Sequence, residues 1–279
     1  MPISSLSRQA RQILATHPRL EVHSVFRASV NLRADGRLIT CTADAVRAPH
    51  GVEMAPADLA GLHRLGSARP SAELRWHAPT LTLISEGGDL VIPAIPQPRE
   101  FDPTIPLVNS DGVRGQLPPL IDLLARTKPA TGLGDQWLTL TTDARLTRAV
   151  TSVLDYAVDA PLLHWIGRGP GLTPSGDDFL VGAIAALWCV GAITAQPLSR
   201  MGARLEAAAG RQTTDISVEY LHYACRGMAT GLLCDLLTAL GSADSSAVLA
   251  AVGQLRRYGH TSGMDCLLGA VTALRELNV

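Results

Sequence analysis

The chain has 279 residues, a formal net charge of −1, 47% hydrophobic residues and 18% charged residues. This composition excludes an intrinsically disordered chain, and the length suits one or two domains with a full hydrophobic core. The near-neutral charge, without a basic stripe, argues against a nucleic-acid-binding surface. The five cysteines form no CxxC pair, so we predict neither disulfides nor a zinc ribbon and expect a reducing, cytoplasmic location.

The first part of the chain has a β-rich pattern. Residues 1–14 lack the continuous apolar stretch of a secretory signal. Residues 20–95 then alternate short apolar runs with turn dipeptides, which is typical of β-hairpins. Asp35-Gly36 separates the first pair of predicted strands, and Gly87-Gly88 separates a later pair.

Prolines dominate the next segment, between Pro93 and Pro119. Proline lacks the backbone N–H that helices and central strands need, so the segment is predicted to be an irregular crossing. We therefore expect an N-terminal domain at residues 1–119 and a second domain at residues 120–279.

The second half of the chain has helical spacing of its Ala and Leu residues after Trp137. The predicted fold class is α+β, with a small β-rich N-terminal domain followed by an all-α C-terminal domain. An uncharged run from Phe179 to Ala195 is seventeen residues long, which is short for a membrane span, so we predict a buried core helix and no membrane association.

This helical half contains an internal sequence repeat. Residues 175–187 and 262–274 match at eight of thirteen positions and share the opening Ser-Gly-x-Asp. Composition supplies Ala and Leu matches but not that opening. We therefore predict two helices with similar N-termini, presented to one another.

The first opening has two interpretations. Ser175 with Asp178, like Ser262 with Asp265, has the spacing of an N-cap and capping box, which needs no ligand. Capping does not account for the glycine-rich approach at residues 167–176. Such a loop leading into a helix N-terminus favours a bound phosphate or carboxylate.

Three carboxylates complicate an anion site there. Asp177, Asp178 and Asp265 would repel an anion placed beside them. They could cap backbone N–H groups, hold a Mg²⁺ ion that bridges to the ligand, or one could act as a general base, and the sequence leaves these alternatives open.

Two further polar segments are candidates for the same site. Thr214 and Ser217 are predicted to line a polar cavity, whereas Glu219 and His222 are predicted to be a solvated face or a cap. In residues 259–263, His260 is predicted to donate to an anion or to act as an acid or base.

The motifs together resemble a known bacterial family. The run at residues 171–180, the segment 214–217 and the motif at 259–265 are similar to the family that includes the AllH-type subunit of oxamate carbamoyltransferase. The resemblance implies one subunit of an enzyme that interconverts oxalurate plus phosphate with oxamate plus carbamoyl phosphate. It also implies other protein subunits as partners and a small anionic substrate.

These arguments define the predicted site. The predicted catalytic residues are Asp177, Asp178, Asp265 and His260. The three aspartates among them are also the candidate metal ligands. The predicted substrate-binding residues are Gly171, Thr173, Ser175, Gly176, Thr214, Ser217, Thr261, Ser262, Gly263, Arg168 and Arg211. The alternatives to a transferase subunit are a non-catalytic anion-binding scaffold and a stand-alone Mg²⁺-dependent enzyme acting on a phosphorylated small molecule.

Overall fold

The computed structural model describes residues 3–43, 46–68, 73–77, 80–83, 90–242 and 244–278. The chain divides into two compact units, Met1–Pro103 and Thr104–Val279. The first is built on β-strands and the second is helical, so the predicted α+β class and its order along the chain are confirmed.

The N-terminal unit is a closed barrel with the strand order β1-β5-β4-β3-β2-β6-β7-β8. Its strands are β1 (Ile3–Ser7), β2 (Arg19–Phe26), β3 (Ser29–Ala34), β4 (Arg37–Thr42), β5 (Gly51–Met54), β6 (Glu73–His77), β7 (Thr80–Leu83) and β8 (Leu90–Phe101). Its helices are α1 (Arg8–Thr16) and α2 (Pro56–Ala68). The β4–β5 and β1–β8 pairs are parallel, and the others are antiparallel.

Both predicted hairpin pairings are present. β3 and β4 pair across Asp35 and Gly36, whose φ values of 45° and 79° are those of a tight primed turn. β7 pairs with β8 through Leu81 and Ile92. The predicted Gly87-Gly88 turn lies outside the described residues.

The proline-rich segment is an irregular crossing only at residues 102–109, so that prediction is wrong for most of its length. β8 continues through Pro93, Pro96 and Pro98, and it pairs with strands on both sides. Its register with β1 shifts between Ala94 and Arg99, and this irregularity accommodates prolines that cannot donate to a regular ladder.

The C-terminal unit begins earlier than residue 120. Its helices are α3 (Ser110–Thr127), α4 (Trp137–Leu140), α5 (Ala144–Leu154), α6 (Ala160–Leu163), α7 (Ser175–Cys189), α8 (Ala195–Ala209), α9 (Asp215–Ala224), α10 (Gly231–Ser242), α11 (Ser245–Leu255) and α12 (Ser262–Glu276). Helix α3 crosses the predicted boundary and carries Pro118 and Pro119 on its exposed side. The chain divides after Pro103 because the opposite face of α3, with Val113 and Leu117, packs into the helical core.

Helix α7 is the predicted core helix, although it ends at Cys189 instead of continuing to Ala195, where α8 begins. Every residue of α7 is buried except Trp188, which is half-buried. Among the described residues, no helix is long and apolar enough to cross a membrane.

Helices α7 and α12 pack closely against each other, and their contacts are reciprocal. A side chain at Gly182 of α7 would overlap the carbonyl of Cys266, and one at Gly269 of α12 would overlap the carbonyl of Phe179. Gly182 and Gly269 occupy equivalent positions in the sequence repeat, as do Phe179 and Cys266. The two copies of the repeat are therefore two helices related by an approximate two-fold axis. Glycine at the contact allows their backbones to meet.

Candidate functional site

Four chain segments meet where α7 and α12 begin: residues 131–134, 167–174, 213–217 and 258–265. Thr173 Oγ1 lies 2.8 Å from Ser262 Oγ, so the approach to α7 contacts the start of α12. Gly132 N donates to Asp265 Oδ1 at 2.9 Å, and Thr213 donates to Asp177. The two Ser-Gly-x-Asp openings are thus neighbours, as predicted.

The capping-box interpretation of these openings is wrong. The N-cap residues are Pro174 for α7 and Thr261 for α12, and neither forms a side-chain capping bond. Ser175 and Ser262 are instead the first helical residues. Their hydroxyls and the aspartates three positions later are therefore available for interactions outside their own helix.

Those interactions cross between the two helices. The hydroxyls of Ser262 and Thr173 face the Asp178 carboxyl and lower its pKa. Asp265 is faced in the same way by Thr261, which precedes its own helix, and by Ser175 of α7. Ser175, Asp178 and Asp265 are 0%, 6% and 0% exposed. Ser175 Oγ, Asp178 Oδ2 and Asp265 Oδ2 nevertheless lack a hydrogen-bond partner of ordinary geometry. Buried polar atoms are normally paired, so these atoms indicate a place where a ligand could bond.

Burial raises the pKa values of the carboxyls in this cluster. Burial raises the pKa of Asp178 well above the ordinary value, and the negative charges of Asp265 and Asp177 raise it further. Hydrogen bonds from the hydroxyls of Ser262 and Thr173 oppose this rise. Burial also raises the pKa of Asp265. A protonated carboxyl does not repel an anion, and it can donate a hydrogen bond.

Asp177 has a different role from Asp178. Its Oδ1 accepts a 3.0 Å hydrogen bond from Gly167 N, and its Oδ2 accepts from the Thr213 hydroxyl. Burial raises its pKa, while the Thr213, Gly167 and Ser217 hydrogen-bonding groups oppose that rise. Asp177 therefore links the approach loop of α7 to the approach of α9.

The backbone N–H groups at these helix starts are largely used within the protein. Gly176 N donates to Arg168 O at 2.8 Å, and Gly263 N donates to Tyr258 O at 3.2 Å. Asp177 N and Asp178 N both donate to the Pro174 carbonyl. Side-chain hydroxyls and carboxyls, rather than a row of free N–H groups, are thus the groups this site offers to a ligand.

The second polar segment joins the same cluster. Thr214 caps α9 by accepting from Ser217 N at 3.1 Å, and its hydroxyl donates to Leu172 O at 2.5 Å. Ser217 is 1% exposed, and its Oγ has no hydrogen-bond partner of ordinary geometry. Both predicted cavity-lining residues therefore lie beside the approach loop of α7.

The solvated-face prediction for Glu219 and His222 is wrong. Glu219 is only 3% exposed, and His222 Nδ1 lies 2.7 Å from Glu206 Oε1 on the neighbouring helix α8. These side chains face the protein because α8 packs along this side of α9.

The predicted cationic residues lie at the periphery. Arg168, Arg211 and His260 are exposed, as is Gly171. Arg168 Nε donates to His164 O at 2.6 Å, which directs it along its own loop. Thr261 is half-buried, and its carbonyl accepts from Met264 N and Asp265 N.

The three aspartates are not gathered into one set of metal ligands, and a Mg²⁺ ion shared with the substrate stays a prediction. No group of three or more His, Cys, Asp or Glu side chains in the described part of the chain, which includes all three, is arranged to hold a metal ion. Asp177 and Asp265 are instead bonded to backbone N–H groups.

Comparison with known families agrees with the sequence resemblance. Residues 165–274 match the family described as oxamate carbamoyltransferase subunit AllH, and residues 3–93 match the AllH family N-terminal domain. The chain belongs to the AllH family. No solved structure matches it. The AllH match contains both Ser-Gly-x-Asp openings and the segment 213–217, so the cluster lies almost wholly within it.

Sequence reasoning missed four residues of the site in this AllH-family chain. Gly132 lies outside both matched ranges and comes from a short turn that carries no motif. Thr213 directly precedes the selected Thr214. Tyr220 and Tyr258 are half-buried, and their hydroxyls are 3.3 Å apart. Both lie close enough to Asp178 that its ionised carboxylate raises their pKa values. Tyr258 directly precedes the third motif, which is the one sequence signal that could have identified it.

Proposed function

We propose that this chain is a subunit of a carbamoyltransferase that acts on a small carboxylated amide of the oxamate or oxalurate type, with carbamoyl phosphate or phosphate as the other reactant. We place the ligand at the paired helix starts, residues 175–178 and 262–265. The observation that carries this proposal is the set of buried polar atoms there, Ser175 Oγ, Asp178 Oδ2 and Asp265 Oδ2, that have no hydrogen-bond partner of ordinary geometry.

The chemistry of the cluster suits carbamoyl transfer. Negative charge develops on the carbamoyl carbonyl oxygen as the acceptor nitrogen adds to the carbamoyl carbon, and preorganised donors stabilise it before the phosphate leaves with its bonding electron pair. Ser175, Ser262 and a protonated Asp178 can supply such donors. Because burial raises the pKa of Asp178, its carboxyl is less of an obstacle to an anionic substrate than an ordinary aspartate would be.

Partner subunits have a place in this proposal. An acceptor carboxylate needs a cationic group, yet Arg168, Arg211 and His260 are exposed and outside the buried cluster. We expect other subunits of the enzyme to cover this face and complete the site, in keeping with a family named for a subunit.

Calorimetric titration of the full chain tests the proposal. The ligands are carbamoyl phosphate, phosphate, oxamate and oxalurate, with and without Mg²⁺. We expect binding that the Ser175→Ala/Ser262→Ala double variant loses and that Thr151→Ala, which removes an exposed hydroxyl from α5, retains. A folded double variant that binds as the wild type does contradicts the proposal, and so does a wild-type chain that binds none of the four both alone and assembled with its partner subunits.

A non-catalytic anion-binding scaffold is the second candidate, favoured by the peripheral position of the cationic residues. Activity of the assembled enzyme separates the two. A catalytic site predicts that the double variant lowers kcat even at saturating substrate, whereas a scaffold predicts normal kcat once the complex has formed.

A further inference from the structure

The two halves of the α7–α12 pair are equivalent in sequence but have different surroundings. On one side, Asp265 Oδ1 accepts a hydrogen bond from Gly132 N at 2.9 Å. Gly132 also lies so close to Ser175 that a side chain at position 132 would overlap Ser175 Oγ. The turn at residues 131–134 therefore closes the Asp265 side.

The equivalent carboxyl on the other side is surrounded by hydroxyl groups. Asp178 lies beside Ser262 and Thr173, and its charge acts on the hydroxyls of Tyr220 and Tyr258. These four residues are half-buried. Asp178 Oδ2 is buried and has no hydrogen-bond partner of ordinary geometry. We call Asp178, Thr173, Ser262, Tyr220 and Tyr258 the Asp178 half-site.

We propose that the Asp178 half-site binds the carbamoyl group, R–CO–NH₂, of the substrate through a cyclic pair of hydrogen bonds with the Asp178 carboxyl. The carboxyl O–H donates to the carbamoyl oxygen, and the other carboxyl oxygen accepts from the amide N–H. This inference rests on the proposed function, because it states which part of the carboxylated amide the site recognises.

The electrostatic surroundings of Asp178 support a neutral carboxyl. The titratable groups that face it are Asp177 on its own helix, Asp265 and Cys266 on α12, Tyr220 on α9 and Tyr258 before α12. None of these five groups is a cation at neutral pH, and burial comes first among the causes that raise the pKa of Asp178. Binding of the carbamoyl group is therefore expected below the raised pKa and is lost as the pH rises through it.

The hydroxyl groups of the half-site have a positioning role. Ser262 and Thr173 bond to each other at 2.8 Å and lie against Asp178, which holds the carboxyl in place. The Tyr258 hydroxyl donates to the Tyr220 hydroxyl at an oxygen separation of 3.3 Å. These groups can satisfy the second amide N–H and the remaining carbonyl lone pair, so that a carbamoyl group leaves no polar atom unpaired.

Titration calorimetry with oxamate and pyruvate tests the inference. Pyruvate has a methyl group where oxamate has NH₂, with the same charge and almost the same shape, so it lacks only the N–H donors. We expect the wild-type chain to prefer oxamate by about tenfold or more, which corresponds to about 1.4 kcal/mol. The oxamate affinity should fall toward high pH.

Two substitutions at position 178 test whether the Asp178 carboxyl binds the carbamoyl group in its neutral or its charged form. Asp178→Asn keeps one donor and one acceptor in the same plane, so it should retain the preference for oxamate and remove the pH dependence. Asp178→Leu keeps the approximate volume without either group and should lose the preference. Asp122→Asn, an exposed change on α3, is the matched control and should behave as the wild type does.

The outcomes distinguish this inference from the proposed function. The inference is overturned by equal affinity for oxamate and pyruvate, or by a folded Asp178→Asn variant that no longer binds oxamate. Either result leaves the proposed function standing, because the chain still binds a ligand. If the wild-type chain binds none of oxamate, oxalurate and carbamoyl phosphate, either alone or assembled with its partner subunits, both the inference and the proposed function are overturned.

Discussion

At the residue scale, the environment of a side chain decides its chemistry more than its place in a motif does. Asp177, Asp178 and Asp265 are all buried first-turn residues with raised pKa values. Asp177 and Asp265 each accept a bond from a distant backbone N–H, whereas the groups that face Asp178 are side-chain hydroxyls. Three aspartates that were equal candidates in the sequence therefore differ in the groups that hold them in place.

The Gly132→Ala variant tests the closed side of the cluster. A methyl group at position 132 would overlap Ser175 Oγ and lie 2.9 Å from Ser175 Cβ. It would also displace the Gly132 N–H, which donates a hydrogen bond to Asp265. We expect the free energy of unfolding to fall by about 1–3 kcal/mol, measured by denaturant titration.

Gly115→Ala is the control for that prediction. Gly115 lies on the exposed side of α3 with no atom near a potential side chain, so alanine there should be neutral or stabilise by up to about 1 kcal/mol. Equal loss of stability in both variants would show that the overlap at Ser175 is not the cause.

At the element scale, contacts between helices determine which faces are buried. α9 has Thr214, Ser217 and Glu219 turned toward the protein, and its His222 contacts Glu206 of α8. Arg226 Nη1 donates to the same Glu206 oxygen at 3.0 Å. This carboxyl therefore joins the end of α9 to α8.

The Glu206 contact predicts a pH-dependent stability. Burial alone would raise the pKa of Glu206, but the hydrogen bonds and charges of His222 and Arg226 outweigh burial and lower the pKa. A lowered carboxyl pKa stabilises the folded state above the ordinary value of 4.5, and this stability is lost as the pH falls through the folded-state pKa.

Unfolding measured at several pH values checks this contribution. Glu206→Gln should be less stable than the wild type by about 1 kcal/mol at neutral pH, and the difference should shrink below about pH 4. Glu276→Gln, at an exposed position of α12, should show no such difference. A constant difference between Glu206→Gln and the wild type at every pH would contradict the assignment.

At the scale of the whole molecule, the boundary between the two units follows packing rather than proline content. α3 belongs to the helical unit because Val113, Leu117, Leu120 and Leu124 lie in its core. Its prolines are tolerated since they occupy the exposed face, where carbonyls without an intrahelical partner can bond to water.

Two fragments test this boundary. A fragment of residues 104–279 keeps all of α3 and should fold with a cooperative thermal transition. A fragment of residues 120–279 lacks Val113 and Leu117, whose burial contributes about 1.5–3 kcal/mol each, and should be markedly less stable. Similar melting temperatures for the two fragments, measured by circular dichroism, would contradict the assignment of α3.

Several features were determined by the sequence alone, because they depend on neighbouring residues. Alternating apolar residues around Asp35-Gly36 predicted the β3–β4 hairpin, and the uncharged run after Asp178 predicted the core helix α7. The repeated Ser-Gly-x-Asp opening predicted two similar helices that meet. Turn chemistry, apolar periodicity and self-similarity all act over a few residues, so they can be recognised without the fold.

Only the tertiary structure decided how those features are used. The prolines of β8 lie at a register shift with β1, and those of α3 lie on an exposed face, neither of which local sequence reveals. Asp265 accepts from Gly132 N, 133 residues away, whereas its equivalent Asp178 is faced by the hydroxyls of Ser262 and Thr173. Hydrogen bonding, burial and pKa depend on which distant segments are brought together, so the difference between the two aspartates arises only when the chain folds.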